Sequence, residues 1–135
     1  MEDLARRYLP ILDPRFLKGV TRDGDAVAFM IGIPDMTEGI QRARGRLFPL
    51  GWLKILRAAR RTKQLDLLLS GVKEEYRGLG LDVLMGLKMR ASAHEAGFRV
   101  VDSHHEMEAN LKVRSVMEHW GGKIYKRFRI YGKVL

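Results

Sequence analysis

Apolar and polar positions along the 135-residue chain change period several times, and each change marks an element. Leu4 to Leu12 reads as a short helical start, stopped by Asp13-Pro14. Phe16 to Arg22 and Asp25 to Ile33 flank Asp23-Gly24, a dipeptide suited to positive φ at both turn positions, so they read as a tight β-hairpin. Thr37 to Arg44 and Trp52 to Arg61 follow a helical period, the second with Trp52, Ile55, Leu56 and Ala59 on one face. Leu65 to Val72 is an almost continuous apolar run, which predicts a strand buried on both faces. Leu81 to Ala96 reads as a helix with Val83, Leu84, Leu87 and Ala91 along one side and Gly97 as its stop. Phe98 to Val101 is the next strand, Glu108 to Trp120 an amphipathic helix ended by Gly121-Gly122, and Ile124 to Val134 a last alternating strand. The hairpin calls for antiparallel pairing and the strand–helix–strand run from 65 to 101 for a parallel pair. The expected fold is therefore α/β (α+β) with a mixed sheet, in one domain over residues 1–135.

Composition narrows the chemistry. There is no cysteine, which removes disulfide scaffolds, thiolate metal sites and cysteinyl intermediates. No apolar run is long enough for a transmembrane helix, and Met1-Glu2-Asp3 does not open a secretory signal, so a cytoplasmic protein without membrane insertion is expected. The net charge of +9 is concentrated. Arg42 to Lys63 holds eight basic residues and no acid, leaving 17 basic and 16 acidic residues elsewhere. Such a segment is either a solvated helix face or a surface for an anionic partner. It lacks the zinc-finger, homeodomain or RNA-recognition signatures of a nucleic-acid module, and aromatic–basic mixing for stacking on single strands is thin.

The strand ending at Val72 leads into Lys73-Glu74-Glu75-Tyr76-Arg77-Gly78-Leu79-Gly80-Leu81-Asp82 and a helix. Glycines at this position bare a row of backbone N–H groups at a helix N-terminus, where an anion is favoured, and Arg77 supplies a counter-charge. The third glycine of a dinucleotide fingerprint and the Gly-Lys-Ser/Thr of a Walker loop are both missing. The segment resembles the acyl-CoA loop of the GNAT superfamily of N-acetyltransferases, a strand ending in valine followed by Arg/Gln-x-x-Gly-x-Gly/Ala. Arg77, Gly78 and Gly80 match, whereas Asp82 stands where Gly or Ala is usual. Asn110 with its following helix and Gly121-Gly122 is similar to a later segment of the same family. Ile33-Pro34-Asp35, Gly45-Arg46-Leu47-Phe48-Pro49 and Tyr125-Lys126-Arg127-Phe128-Arg129-Ile130-Tyr131 resemble a bacterial GNAT-like group whose members are longer, so an N-terminally reduced version of the fold is expected.

The resemblance implies acyl transfer from acetyl-CoA or another acyl-CoA to a small-molecule or peptide amine, directly and without a metal. Ser70 and Val72 would meet the pantetheine through their main chain. Arg77, Gly78, Leu79, Gly80, Leu81 and Asp82 would hold the pyrophosphate, and Asn110 would lie beside the pantetheine. The thioester would occupy the gap where strands 65–72 and 98–103 splay apart. A tyrosine often donates a proton to the thiolate in this family; Met117 occupies that position and cannot. Glu106 and His105, in Asp102-Ser103-His104-His105-Glu106, are the candidate general bases, with a plain loop or an N-cap as the alternative role. Adjacent histidines on extended backbone point to opposite faces, which disfavours a metal site at His104, His105 and Glu106. Two other readings are a degenerate fold that binds acyl-CoA without efficient catalysis, kept open by Met117 and Asp82, and a nucleic-acid-binding module. A first strand absent from the pattern leaves an edge to cover, which favours a homodimer.

Overall fold

The computed structural model describes residues 12–133. They fall into two compact units, one through His104 and one from His105. The expected helix at Leu4 to Leu12 lies almost wholly outside the described residues.

The first unit is a four-stranded mixed sheet in the order β1-β2-β3-β4 with three helices. Strands β1 (Leu17–Arg22) and β2 (Asp25–Pro34) form the expected hairpin, with Asp23 at φ 53° and Gly24 at φ 88°. Both turn residues thus occupy the left-handed region that a two-residue turn matching the strand twist requires. Helices α1 (Thr37–Ala43) and α2 (Gly51–Arg61) follow, then β3 (Gln64–Val72), α3 (Leu81–Glu95) and β4 (Val100–Asp102). Strand β3 is antiparallel to β2 and parallel to β4.

The core lies between the sheet and α3. Phe16, Ala28, Met30, Leu65, Met85, Met89 and Ala93 are buried together, and Val20, Leu67, Val72, Leu81 and Phe98 pack against them. Phe98 meets Phe16 edge-on at 5.3 Å between ring centroids, a favourable quadrupolar arrangement. This use of Phe98 as a core side chain accounts for the late start of β4, two residues beyond the expected one.

Three expectations about faces are corrected. Helix α3 buries Met85, Gly86, Met89 and Ala93, not the side bearing Leu84, Leu87 and Ala91. Strand β3 is buried only at its start, for Leu68 and Leu69 are each 50% exposed. Helix α2 turns Ile55 and Ala58 toward α1. A methyl built on Gly39 would lie 2.6 Å from the Ile55 Cα, so only glycine lets the two helices approach this closely.

The second unit holds α4 (Leu111–His119), shorter than expected at its start. Gly121 at φ 83° and the Gly122 N–H donating to the Met117 carbonyl at 2.8 Å close its C-terminus. The strand expected at Ile124 to Val134 is absent over residues 124–133. The alternation is present, but a strand needs a paired edge, and Ile130 is fully exposed with Tyr131 nearly so.

Leu65 has no exposed surface, so Leu65→Ala removes well-packed atoms and leaves a cavity. It is expected to cost about 3 kcal/mol, or roughly 10 °C in thermal midpoint, whereas Leu68→Ala costs well under ~1 kcal/mol. Parallel thermal and urea melts followed by circular dichroism check the contrast.

Candidate active site: a forked sheet, an open amide row and a buried carboxylate

Strands β3 and β4 pair only over Gln64–Val100, Leu65–Val101 and Asp66–Asp102. Beyond Asp66, β3 keeps β2 on one side and has no strand on the other among the described residues. The register between β2 and β3 shifts where Ile31 opposes Leu69 and Gly32 opposes Leu67, so Leu68 is an extra, bulged residue at the mouth of this fork. Bulges re-aim the strand that carries them, and here one sits where the open edge of β3 begins.

At the far end of β3 the chain passes through a 3-10 turn, Glu74–Tyr76, into the glycine loop. Gly78 at φ 80° and Gly80 at φ 76° both adopt backbone that residues with a Cβ avoid. Gly80 is the N-cap of α3 and has no side chain to cap it. Among the described residues, the N–H groups of Gly78, Leu79, Gly80, Leu81, Asp82 and Val83 have no protein acceptor. Six successive unpaired donors at the positive end of a 15-residue helix are the kind of arrangement that favours an anion. The Arg77 Nε donates to the Val72 carbonyl at 3.3 Å, holding that exposed guanidinium near the loop. Ser70 and Val72 lie on β3 opposite Met30 and Ala28. The structure thus gathers Ser70, Val72 and Arg77 to Asp82 along one strand and the turn that follows it.

Glu106, His105 and Asn110 belong to the second unit. The Asn110 side chain accepts from the Val113 N–H at 3.5 Å, so it caps α4. His105 packs edge-on against Phe128 at 4.6 Å, and Glu106 is half-buried. Within that unit, Glu108 meets Arg127 at 3.3 Å.

Asp66, which the sequence reading passed over, and His104, which it weighed only as a metal ligand, stand at the apex of the fork. Asp66, in the last paired rung, is only 5% exposed. Its Oδ1 accepts from Gln64 Nε2 at 2.9 Å, and its Oδ2 lies 3.6 Å from His104 Nε2. His104 holds a left-handed backbone, φ 58°, with its N–H donated to Asp102 Oδ1 at 2.8 Å. Its side chain is 42% exposed. Burial raises the Asp66 pKa above the ordinary carboxylate value; Gln64 and His104 act in the opposite sense, and Asp35 and Asp102 add to the rise. An aspartate inside an otherwise apolar strand was the available signal, but its partner follows only from the pairing of β3 with β4. Among the described residues no group of acidic or histidine side chains is arranged to hold a metal, and no helix is long and apolar enough to cross a membrane.

The fold matches known structures. Two structures of the aminoglycoside N-acetyltransferase AAC(6')-Iy superpose on the chain. One, in complex with CoA, gives a TM-score of 0.58 over 99% of this chain and 87% of that one, at 17% identity. The other, with a bisubstrate analogue, CoA-S-monomethyl-acetylneamine, gives 0.53 over 87% and 67%, also at 17% identity. The chain has the GNAT acetyltransferase fold. In sequence it is 30% identical to bacterial ceramide synthase of Caulobacter vibrioides (strain NA1000 / CB15N) over 98% of its length, and 29% identical to Protein YghO of Escherichia coli (strain K12) over 82%. It spans about a third of the length of these curated relatives, 36% and 30% respectively. No family model matches the chain. In this GNAT fold the fork, the bulge and the glycine loop all fall on β3 and its two ends.

Because burial raises the folded-state pKa of Asp66, ionising it in the fold costs more than ionising it in the unfolded chain. Below the ordinary value of 3.8 the group is neutral in both states and the cost vanishes; it grows as pH rises through the window up to the raised folded value. Asp66→Asn, which keeps an acceptor for Gln64, is therefore expected to be more stable than wild type near neutral pH and indistinguishable from it in strong acid. Urea midpoints measured across that range report the difference.

Proposed function

We propose that the chain is an acyl-CoA-dependent N-acyltransferase that moves an acyl group directly from the thioester to an amine. The observation that carries this reading is the open edge of β3, running from the bulge at Leu68 to the row of six free amides at Gly78 to Val83. The seven residues of strand from Asp66 to Val72 span roughly 20 Å, a length suited to an extended pantetheine arm. In this reading the pyrophosphate rests on the free amides of residues 78–83, beside Arg77. The pantetheine lies along Ser70 and Val72, adding the main-chain partners that the missing strand leaves unused. The thioester then reaches the apex of the fork.

For transfer, the amine nitrogen attacks the thioester carbonyl, the C–N bond forms, and the C–S bond breaks as the tetrahedral intermediate collapses. The amine gives up a proton and CoA departs as thiolate, to be protonated to the free thiol. We assign the proton acceptance to His104, an imidazole at the apex, with Asp66, whose Oδ2 faces Nε2 at 3.6 Å, as the positioning residue. A buried carboxylate also stabilises the imidazolium that forms. Glu106 and His105 are the competing bases. Met117 has no proton to give, so thiolate departure relies on the low basicity of a thiol, with a pKa near ~8.5. The ceramide synthase relative favours an amine on a long-chain lipid as the acceptor, ceramide being an N-acylated long-chain amino alcohol; the aminoglycoside acetyltransferases show that the same fold also serves a soluble polyamine.

Acetyl-CoA at a hundred times its Kd is expected to stabilise the chain by about 2.7 kcal/mol, read as a rise in melting temperature. Gly80→Val, which forces a branched side chain to φ 76°, is expected to weaken CoA binding about tenfold with the circular dichroism spectrum preserved. No thermal shift with millimolar acetyl-CoA would remove the loop from the function, and binding without release of free thiol over a broad amine panel would favour the non-catalytic reading.

The assignment of the base is tested by kcat. His104→Ala is expected to lower it by roughly a hundredfold or more, whereas Glu106→Gln and His105→Ala lose less than about tenfold. Asp66→Asn should displace the pH–rate profile while CoA affinity holds. The reverse ranking of His104 and Glu106 would transfer the role to the carboxylate.

A further inference from the structure

The segment from Arg42 to Lys63 is not used by the acyl-CoA site, and its geometry is specific. Helix α2 is clasped to α1 along Ile55 and Ala58, with Gly51 against Ala43. At 100° per residue, that contact leaves the rest of the helix circumference in two neighbouring arcs. One carries Trp52 and Leu56; Leu53 lies past Arg60, between it and Arg57, and all three apolar side chains are more than two-fifths exposed. The loop just before the helix adds Leu47, Leu50 and Phe48, the last 82% exposed. The other arc carries Lys54, Arg57, Arg60 and Arg61. Among the described residues, only Arg42 of the eight cations has an ion pair, to Glu38 at 2.5 Å. The Trp52 indole N–H is already donated to the Pro49 carbonyl at 3.2 Å, so the ring can leave water without stranding its donor.

We propose that the α1–α2 hairpin and its connecting loop dock on the surface of an anionic lipid bilayer. Trp52, Leu53, Leu56, Leu47, Phe48 and Leu50 would enter the boundary between headgroups and acyl chains, and the basic arc would lie against the headgroups. A short helix with an apolar stripe, a tryptophan and a flanking row of Arg and Lys is suited to this position. Charge selects the occupant. The segment has eight cations and no acid, and the rest of the chain, with 17 basic and 16 acidic residues, carries no net negative charge to draw it onto a second copy. A nucleic acid would satisfy the cations but leave the six apolar side chains in water. An anionic bilayer satisfies both arcs together. The inference stands apart from the acyl-transfer reading, for it concerns binding without turnover.

The test is co-sedimentation of the full chain with vesicles of phosphatidylcholine alone and of phosphatidylcholine mixed with phosphatidylglycerol. Trp120→Phe leaves Trp52 as the single tryptophan reporter. Binding to the mixed vesicles, with a blue shift of Trp52 emission, and little binding to the neutral ones is the expected result. The triple charge reversal Arg57→Glu, Arg60→Glu, Arg61→Glu is expected to weaken binding roughly a hundredfold. Leu53→Ser with Leu56→Ser should weaken it about tenfold and abolish the blue shift. All these side chains are exposed, and circular dichroism confirms that the variants fold. Failure to bind anionic vesicles at low salt overturns the proposal. So does binding that the leucine variants leave unchanged and duplex DNA competes away, which would assign the surface to nucleic acid. A dimer in sedimentation velocity that the leucine variants dissociate would assign it to a second copy. Loss of CoA binding in Gly80→Val, with vesicle binding intact, separates this inference from the proposed activity.

Discussion

The parallel ladder between β3 and β4 stops after three residue pairs, and the first unit is arranged around that stop. Before it, β3 is an ordinary interior strand, with Leu65 buried under Met89 and Gly32 making room for both. After it, one edge of the same strand is unpaired over Leu67 to Val72 among the described residues. An unpaired edge is ordinarily a liability, because its main-chain groups seek partners from other chains. Here it leads directly to a row of unpaired amides at the start of α3. A ligand that is extended, rich in amides and anionic at one end complements both features.

Electrostatics at the apex follows from the same termination. If the ladder continued, Asp66 would be one more interior position facing a paired neighbour. Because β4 ends at Asp102, the chain can turn through the left-handed His104 and bring an imidazole over the buried carboxylate. Each partner answers a need of the other: the carboxylate is desolvated and gains from a donor, and the ring gains a fixed orientation. Gln64 completes the arrangement by donating to the second oxygen.

Much of this was legible in the sequence, for local reasons. The Asp23-Gly24 turn and the Gly78 and Gly80 loop were readable because positive φ restricts the choice of residue. The mixed sheet followed from element order. The buried face of α3 was not readable, since apolar residues surround the helix and Met85 and Met89 are no more hydrophobic than Leu84 and Leu87; the sheet alone decides between them. The last alternating segment shows the converse, a pattern fit for a strand without a partner edge among the described residues. His104 was weighed only as a metal ligand, because nothing near it in sequence marks it as a base. Its meaning comes from Asp66, which reaches it only through strand pairing, whereas Glu106 and His105 stood out merely as titratable neighbours.

The contact at Gly39 carries a consequence of a different kind. Helix α2 rests the backbone of Ile55 and the Ala58 methyl against Gly39, with no room for a side chain between them. The direction in which the arginines of that helix point is therefore set by a residue with neither charge nor side chain. A single methyl group at position 39 would force the two helices apart and displace the whole basic arc, with net charge and isoelectric point untouched.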